Sequence, residues 1–277
     1  MVPDIVPPDE EATVTEQKDP IDTAVPQTAR IWNYWLGGKD HFEVDRQVGE
    51  EILKVIPDMA LFARATRRFL QRAVHHLTAD LGVRQFLDVG TGLPTADNTH
   101  QVAQRAAPSA RVVYVDNDPL VLAHARALLT GTPEGGTAYL DADLRDPEKI
   151  LAGAAETLDL GEPVALMLMG ILGHITDDAE ARSIVRRLMD ALPSGSYLAL
   201  YDATNVVDPA SAAAIEIWNR SAEPPYALRT PAQLEGFFEG LELLPPGVVS
   251  CPLWHPPATE IGEVTEIDEF CGVARKP

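Results

Sequence analysis

The pattern of apolar and polar residues changes character near Arg84. Before it, apolar residues recur at helical spacing, and residues 45–56 and 58–81 predict two amphipathic helices separated by Pro57. After it, short apolar runs alternate with amphipathic stretches. Such alternation is typical of βαβ units that build a parallel sheet. The pattern therefore predicts an α/β fold that carries a helical extension at its N-terminal end.

Five of the short apolar runs predict parallel strands. The run over residues 163–169 is almost continuously apolar, as expected for a strand buried on both faces. Two further strands, 241–249 and 270–274, are predicted to form an antiparallel hairpin at the sheet edge. The five parallel strands are predicted at residues 85–89, 111–116, 137–142, 163–169 and 195–201. Helices are predicted at residues 98–106, from Pro119 onward, and at 147–157, 177–191, 209–219 and 231–238.

The N-terminal third divides into two segments. Residues 1–26 are rich in proline and acids, so we expect a disordered tail. Residues 27–82 are expected to form a helical lid or cap on the main domain, 83–277. Four arginines of the second predicted helix are expected to form a solvated face, with anion binding as the alternative: Arg64, Arg67, Arg68 and Arg72.

An aromatic stretch at residues 28–42 allows two interpretations. In the first, aromatic residues beside the hinge Gly37-Gly38 form a lid over a ligand, or a dimer contact. In the second, the apolar residues are one face of a helix that docks on the core and ends at Gly37. Packing explains Asp40 and three candidates for a substrate pocket less well: Tyr34, Lys39 and His41.

Composition narrows the class of protein. The 277 residues include 42 acids and 22 bases, a formal net charge of −20, which disfavours nucleic acid as a partner. The longest apolar run, 163–173, is too short to span a bilayer, and no apolar leader is visible. Cys251 and Cys271 suit a reducing compartment and do not have the spacing of a zinc site. We expect a soluble cytoplasmic protein with no metal.

The segment Asp88-Val89-Gly90-Thr91-Gly92 carries the clearest chemical signal. Glycines allow the positive φ angles of a tight turn and let a ligand approach the backbone. Amides at the start of the following helix would attract negative charge. We interpret the segment as a nucleotide-type cofactor site in a Rossmann-like sheet. The acid two residues before the first glycine favours S-adenosylmethionine over a nicotinamide dinucleotide.

Further candidate residues follow the predicted strands, where open α/β sheets bind ligands. Asp116 can accept from both ribose hydroxyls, and Asp143 from an adenine amino group while Leu144 packs on the ring. Asp88 would anchor an ammonium group, directly or through water. Neighbours of these positions complete the expected cofactor site: Asn117, Met169 and Gly170.

The acceptor side is less sharply defined by the sequence. His174 is the candidate for substrate contact or proton removal, because histidine titrates near neutrality; a helix-capping or merely pocket-lining histidine is the alternative. Tyr226 is a weaker pocket candidate. Arg229 could bind a substrate carboxylate or be an ordinary surface arginine.

The region 86–201 resembles class I S-adenosylmethionine-dependent methyltransferases. Asp88-Val89-Gly90-Thr91-Gly92 resembles the acid-x-Gly-x-Gly motif of that family, Asp116 matches its ribose acid and Asp143 its adenine-side acid. More narrowly, residues 30–42, 92–95 and 225–231 resemble a group of actinobacterial methyltransferase-like proteins of unknown substrate. The resemblance implies a Rossmann-like, mostly parallel sheet with its last strand antiparallel, and in-line methyl transfer to a small molecule. One departure is Pro94, which replaces the usual third glycine and predicts a wider or more rigid loop.

Two other functions stay open at this point. A nicotinamide-dependent oxidoreductase would share part of the glycine pattern, but the third glycine and a catalytic Tyr-x-x-x-Lys are absent from the sequence. A non-catalytic protein that binds S-adenosylmethionine or a related metabolite would need no base. The segment Glu223-Pro224-Pro225-Tyr226 is similar to a nucleic-acid amino methyltransferase motif, but it does not follow strand four, so we interpret it as a turn.

Overall fold

The computed structural model describes residues 21–128, 131–257 and 265–277, so most of the predicted tail 1–26 lies outside the described residues. The helices are α1 Thr28–Trp35, α2 Glu43–Leu53, α3 Met59–His75, α4 Thr99–Ala106, α5 Pro119–Leu128, α6 Pro147–Ala154, α7 Asp178–Asp190, α8 Ala210–Ser221 and α9 Pro231–Glu235. The strands are β1 Gln85–Val89, β2 Arg111–Asp116, β3 Gly136–Asp141, β4 Ala165–Met169, β5 Tyr197–Ala203, β6 Glu242–Leu243, β7 Val249–Ser250 and β8 Glu269–Arg275. No helix in these ranges is long and apolar enough to cross a membrane.

The strands form one mixed sheet with the order β3-β2-β1-β4-β5-β8-β6, and β7 also pairs with β8. Strands β1 to β5 are parallel, whereas β8 is antiparallel to β5. The predicted Rossmann-like class is therefore confirmed. The order reverses between β1 and β4, and open sheets of this kind bind ligands at such a switch point.

One predicted strand is wrong in detail. Residues 241–249 do not form a continuous strand, because Pro245, Pro246 and Gly247 interrupt it with a turn in which the Gly247 amide donates to the Leu244 carbonyl over 2.9 Å. Two short strands, β6 and β7, result, and both pair with β8. Proline lacks the amide hydrogen that a ladder needs, which explains the break.

The central strands are buried on both faces, and successive side chains point to opposite layers. On β1, Phe86 belongs to the layer packed against α3 and α4, whereas Leu87 and Val89 pack against α6 and α7. Asp88 lies on the same side as Phe86. The alternation therefore directs the only acid of β1 toward the layer that holds the N-terminal helices.

The aromatic stretch contains a helix, as the packing interpretation predicts. Ile31 and Trp35 of α1 are buried in a small core with residues of α2, α3 and α8, and Gly37 follows the helix with φ of 81°. Arg30 is 1% exposed, and its Nε lies 3.3 Å from a carboxylate oxygen of the fully buried Asp45. A buried ion pair thus links α1 to α2.

Candidate active site

The two glycines of the turn after β1 serve different purposes. Gly90 has φ of 75°, and a Cβ there would lie 2.6 Å from Cγ1 of Ile171 in the loop after β4. Gly92 has φ of 67°, but a Cβ there would meet no atom within 4 Å. Gly90 therefore permits close packing of two loops, while Gly92 opens the backbone to an empty space.

Asp88 is a buried acid at the base of this turn. The Thr99 hydroxyl donates to its Oδ2 over 2.6 Å. Burial raises the pKa of Asp88 to about 6, against the opposing effects of the Thr99 hydrogen bond and the Arg67 charge. The carboxylate is ionised at neutral pH, and a cation placed beside it would be strongly favoured.

Asp116, at the end of β2, closes the glycine turn. Its Oδ2 accepts from the Gly92 amide over 2.9 Å, and its Oδ1 accepts from the Asp118 amide over 3.0 Å. Burial raises the pKa of Asp116 to about 6 as well. Each carboxylate oxygen has a second lone pair, so the acid can still accept from a diol.

The acid after β3 is oriented by its neighbours. Asn117 donates from Nδ2 to Oδ2 of Asp143 over 3.1 Å, and the Arg145 amide donates to Oδ1 over 2.8 Å. The next side chain, Leu144, is buried. An acceptor beside an apolar side chain suits the edge and face of a purine ring.

One cavity collects all of these positions at the switch point. Every residue expected at the cofactor lines it: Asp88, Gly90, Thr91, Gly92, Asp116, Asn117, Asp143, Leu144, Met169 and Gly170. Gln27, Thr28 and Trp32, at and just before α1, line it too, as the lid interpretation of the aromatic stretch allows, and so does Arg67. The Nε atom of Arg67 is buried and has no hydrogen-bond partner in the described chain. A solvated face is therefore the wrong interpretation for Arg67.

The start of α4 does not offer the anion site that the glycine turn suggests. Residues 90–98 separate β1 from α4, and Asn98 and Gln101 form a capping box there. The His100 amide donates to the Tyr114 hydroxyl over 2.8 Å. The Asn98 amide donates to Gln101 Oε1 over 2.8 Å, so these two amides already have partners and are less available to a pyrophosphate. The long loop agrees with the expectation drawn from Pro94.

A second, mostly apolar cavity adjoins the first. Thr28, Trp32 and His174 line both, so these three side chains form a shared wall. The remaining apolar lining comes from the N-terminal helices, α8 and the segment after it: Trp35, Ile52, Ile56, Met59, Phe62, Ala214, Ile215, Trp218, Tyr226 and Leu228.

His174 ends a short 3-10 turn after β4 and is 4% exposed. Its Nδ1 lies 3.1 Å from the Pro225 carbonyl, which can only accept, so Nδ1 carries the proton. Its Nε2, 3.2 Å from the Thr28 hydroxyl, is then the free base. Burial lowers the pKa of His174 below its usual 6.5, and the neutral ring is present at pH 7.

Three expected pocket residues lie elsewhere. Lys39 is exposed, and the rings of Tyr34 and His41 meet edge to face with centroids 5.2 Å apart. Neither cavity, as far as the described residues define them, is lined by any of the three. Tyr34 lies in the last turn of α1, and Lys39 and His41 lie in the segment between α1 and α2.

Arg229 lies in the interior of the protein, where its polar partners are groups of the chain itself. Arg229 is 2% exposed and donates to Asp178 over 2.7 Å, to the Leu172 carbonyl over 2.8 Å and to the Ile175 carbonyl over 2.6 Å. All three donor nitrogens are occupied. Arg229 therefore braces the 3-10 turn that carries His174, and its carboxylate partner in the described chain is Asp178.

Tyr226, by contrast, does line the second cavity. Its hydroxyl donates to Oδ1 of the buried Asp202, and its ring packs against Gly173, where a Cβ would lie 2.1 Å from the ring. The turn at residues 223–226 thus borders both cavities, since Pro224 lines the first.

Comparison with known proteins identifies the family. A family model described as S-adenosyl methyltransferase matches residues 14–277. A DUF574 family protein from Streptomyces avermitilis is 44% identical, with a TM-score of 0.88 over 92% of this chain and 99% of that protein. A proposed methyltransferase from Thermobifida fusca is 38% identical, with a TM-score of 0.84 over 95% of this chain and 99% of that protein.

More distant structures share the fold alone. The plantazolicin methyltransferase BamL is 10% identical, with a TM-score of 0.51 over 90% of this chain and 95% of its own. No curated protein matches the chain. The family match at residues 14–277 includes the lining of both cavities. Because the family is one of S-adenosyl methyltransferases, the predicted cofactor, S-adenosylmethionine, is confirmed. The chain belongs to the S-adenosyl methyltransferase family, and it is an enzyme that uses S-adenosylmethionine.

Proposed function

We propose that the enzyme transfers a methyl group in line to a small molecule held in the second cavity. The observation that carries the proposal is the shared wall, because among the described residues Thr28, Trp32 and His174 line both the cavity with the cofactor candidates and the more apolar second cavity. Apolar cavities of this kind with a few polar groups are typical of small-molecule sites. The net charge of −20 supports an acceptor other than nucleic acid.

The residues of the first cavity fit the cofactor by their chemistry. Asp116 would accept from the ribose hydroxyls, and Asp143 with Leu144 would hold the adenine ring. Asp88 would face the ammonium group, and the unpartnered Nε of Arg67 would donate to the carboxylate. Bound S-adenosylmethionine supplies a methyl group on a sulfonium, whose departure needs no proton. The chain must therefore position the two reactants and exclude water.

His174 is the proposed base. An oxygen or nitrogen acceptor that carries a proton must lose it when it gains a methyl group, and the unprotonated Nε2 of His174 lies in the shared wall, in contact with the Thr28 hydroxyl. The Thr28 hydroxyl bonds this nitrogen and lines both cavities, so it can relay the proton. The Pro225 carbonyl fixes the tautomer, as a second partner commonly does for a catalytic histidine.

The two alternative functions are less well supported. A nicotinamide dinucleotide would require anion contacts at the start of α4, where the Asn98 and His100 amides already donate to Gln101 and Tyr114. A non-catalytic sensor would not require a base at the junction of two cavities. A homodimer and a cytoplasmic location stay predictions.

The proposal is tested by supplying S-adenosylmethionine with a radiolabelled methyl group to a host-cell extract separated into small molecules, proteins and nucleic acids. We expect label in the small-molecule fraction. His174→Gln is expected to reduce labelling by about a hundredfold, the usual contribution of a general base, without changing cofactor affinity. The exposed His75→Gln is the matched control. Label confined to protein or nucleic acid would contradict the proposal.

The raised pKa values of Asp88 and Asp116 predict that cofactor binding depends on pH. Both acids titrate at about 6, so they are ionised at pH 7.5 and mostly protonated at pH 5. In the free protein, ionising these two buried carboxyl groups as pH rises through this range costs free energy. The ammonium group of a bound ligand offsets that cost, so the ligand stabilises the protein more at the higher pH. We expect S-adenosylhomocysteine to raise the melting temperature more at pH 7.5 than at pH 5. An equal shift at both pH values would show that neither carboxylate contacts the ligand.

A further inference from the structure

The second cavity contains a buried carboxyl group with no neutralising cation. Glu269, the first residue of β8, lines this cavity and is 5% exposed. Its Oε2 atom has no hydrogen-bond partner among the described residues. The described residues that line the cavity include no lysine or arginine. An unpaired buried carboxyl group is costly, so its presence here points to a ligand that supplies the missing partner.

A second acid lies close to Glu269, although it is not among the described residues that line the cavity. Asp202 lies on the neighbouring strand, where Ala203 pairs in register with Glu269. Asp202 is 1% exposed, and its Oδ2 has no partner within the described ranges. Burial, and then the charges of Asp202 and Asp268, raise the pKa of Glu269 well above its usual value. The charge of Asp202 thus adds to the cost of ionising the buried Glu269, and a cation in the cavity would offset that cost.

The adjacent Asp268 also lines the second cavity, but its carboxylate is fully hydrogen-bonded within the protein. Its Oδ1 accepts from the Thr204 hydroxyl over 2.7 Å and from the Val206 and Val207 amides over 2.8 and 2.9 Å. Its Oδ2 accepts from the Asp208 amide over 2.7 Å and from the Ser211 hydroxyl over 2.8 Å. Asp268 is therefore saturated by the loop it holds, whereas Glu269 is not.

The rest of the cavity suits a flat apolar molecule. Three of the four tryptophans of the chain line it, together with two further aromatic residues: Trp32, Trp35, Trp218, Phe62 and Tyr226. Aromatic faces stack on planar groups and attract organic cations. The lining therefore combines an apolar body site with an acidic end.

We propose that the methyl acceptor is an amine with an apolar, flat body, and that its ammonium group is held by Glu269. This inference rests on the proposed function of the second cavity. Glu269 does not line the cofactor cavity, so the ammonium serves for recognition. The nucleophilic atom of the same molecule then lies at the shared wall, beside Thr28 and His174.

The test compares three probes of one shape: 3-phenylpropylamine, 3-phenylpropan-1-ol and 3-phenylpropanoate. Binding to the full chain is followed by tryptophan fluorescence, with and without saturating S-adenosylhomocysteine. We expect the amine to bind at least about tenfold more tightly than the alcohol, and the carboxylate most weakly, because a charge-assisted hydrogen bond is involved. Equal binding of amine and alcohol, preference for the carboxylate, or no binding of any probe would overturn the proposal.

Substitution separates this inference from the proposed function. Glu269→Gln is expected to remove the preference for the amine and to leave the affinity for S-adenosylhomocysteine unchanged. Glu216→Gln is the matched control, because Glu216 is exposed on α8, the helix that also lines the cavity. A retained preference in a Glu269→Gln protein that binds S-adenosylhomocysteine would overturn the proposal. Loss of S-adenosylhomocysteine binding in the wild-type chain would instead contradict the cofactor site, while the probe series would still report on Glu269.

Discussion

Asp116→Asn is expected to weaken S-adenosylmethionine binding by about a hundredfold. The substitution removes the charge that two ribose hydroxyls would share, and hydrogen bonds to charged groups contribute about 1.5–3 kcal/mol each. It also weakens the contacts through which Asp116 holds the Gly92 and Asp118 amides. The turn then loses part of its order as well as one of its ligand contacts.

Calorimetry with S-adenosylmethionine, S-adenosylhomocysteine and NAD measures this effect. Asp141→Asn provides the control, since Asp141 pairs in register with Asp116 but is exposed and contributes nothing to the described cavity wall. We expect wild-type affinity in the control and no NAD binding in any protein. An Asp116→Asn protein with unchanged affinity would remove Asp116 from the cofactor site.

Asp45→Asn is expected to lower the free energy of unfolding by about 3–5 kcal/mol, the usual cost of leaving one member of a buried ion pair without its partner. Asp45 accepts from the Gln27 and Phe42 amides over 2.9 and 2.8 Å and faces the Arg30 guanidinium. The substitution leaves a cation that is 1% exposed without a counter-charge.

Urea denaturation gives the change in free energy. Glu43→Gln is the control: Glu43 pairs with Arg46 at the exposed start of α2, and we expect no measurable change there because solvent screens the pair. Since α1 supplies Thr28 and Trp32 to both cavities, Asp45→Asn is also expected to weaken cofactor binding. An Asp45→Asn protein with the wild-type midpoint of urea denaturation would show that the packing of the N-terminal helices does not depend on the Arg30–Asp45 pair.

Local signals in the sequence account for the parts of the fold that were predicted well. The bounds of β1 and β2 follow from apolar runs flanked by polar residues, and the cofactor candidates follow from acids and glycines at strand ends. These signals depend on neighbours along the chain. The break in the strand after Leu244 has an equally local cause in Pro245 and Pro246.

Long-range contacts account for what the sequence did not reveal. Thr28 reaches His174 across 146 positions of the chain, and nothing in its local pattern marks it as part of a site. Arginines usually lie at the surface, yet Arg229 is buried and bonded to three groups that are distant in the sequence. Glu269 follows Asp268, and only the hydrogen bonds of the folded chain distinguish a saturated acid from an unpartnered one.

The way α4 begins has a consequence for how this enzyme could be redesigned. At the start of α4, the amides of Asn98 and His100 donate to Gln101 and Tyr114. Residues 90–98, which include the glycine turn, separate this helix from β1. Exchanging a side chain in the cavity would not by itself free the bonded amides at the start of α4 for a phosphate. Conversion to a dinucleotide enzyme would require deletion of loop residues together with a new helix start. The length of the loop between β1 and α4 therefore contributes to the choice of cofactor.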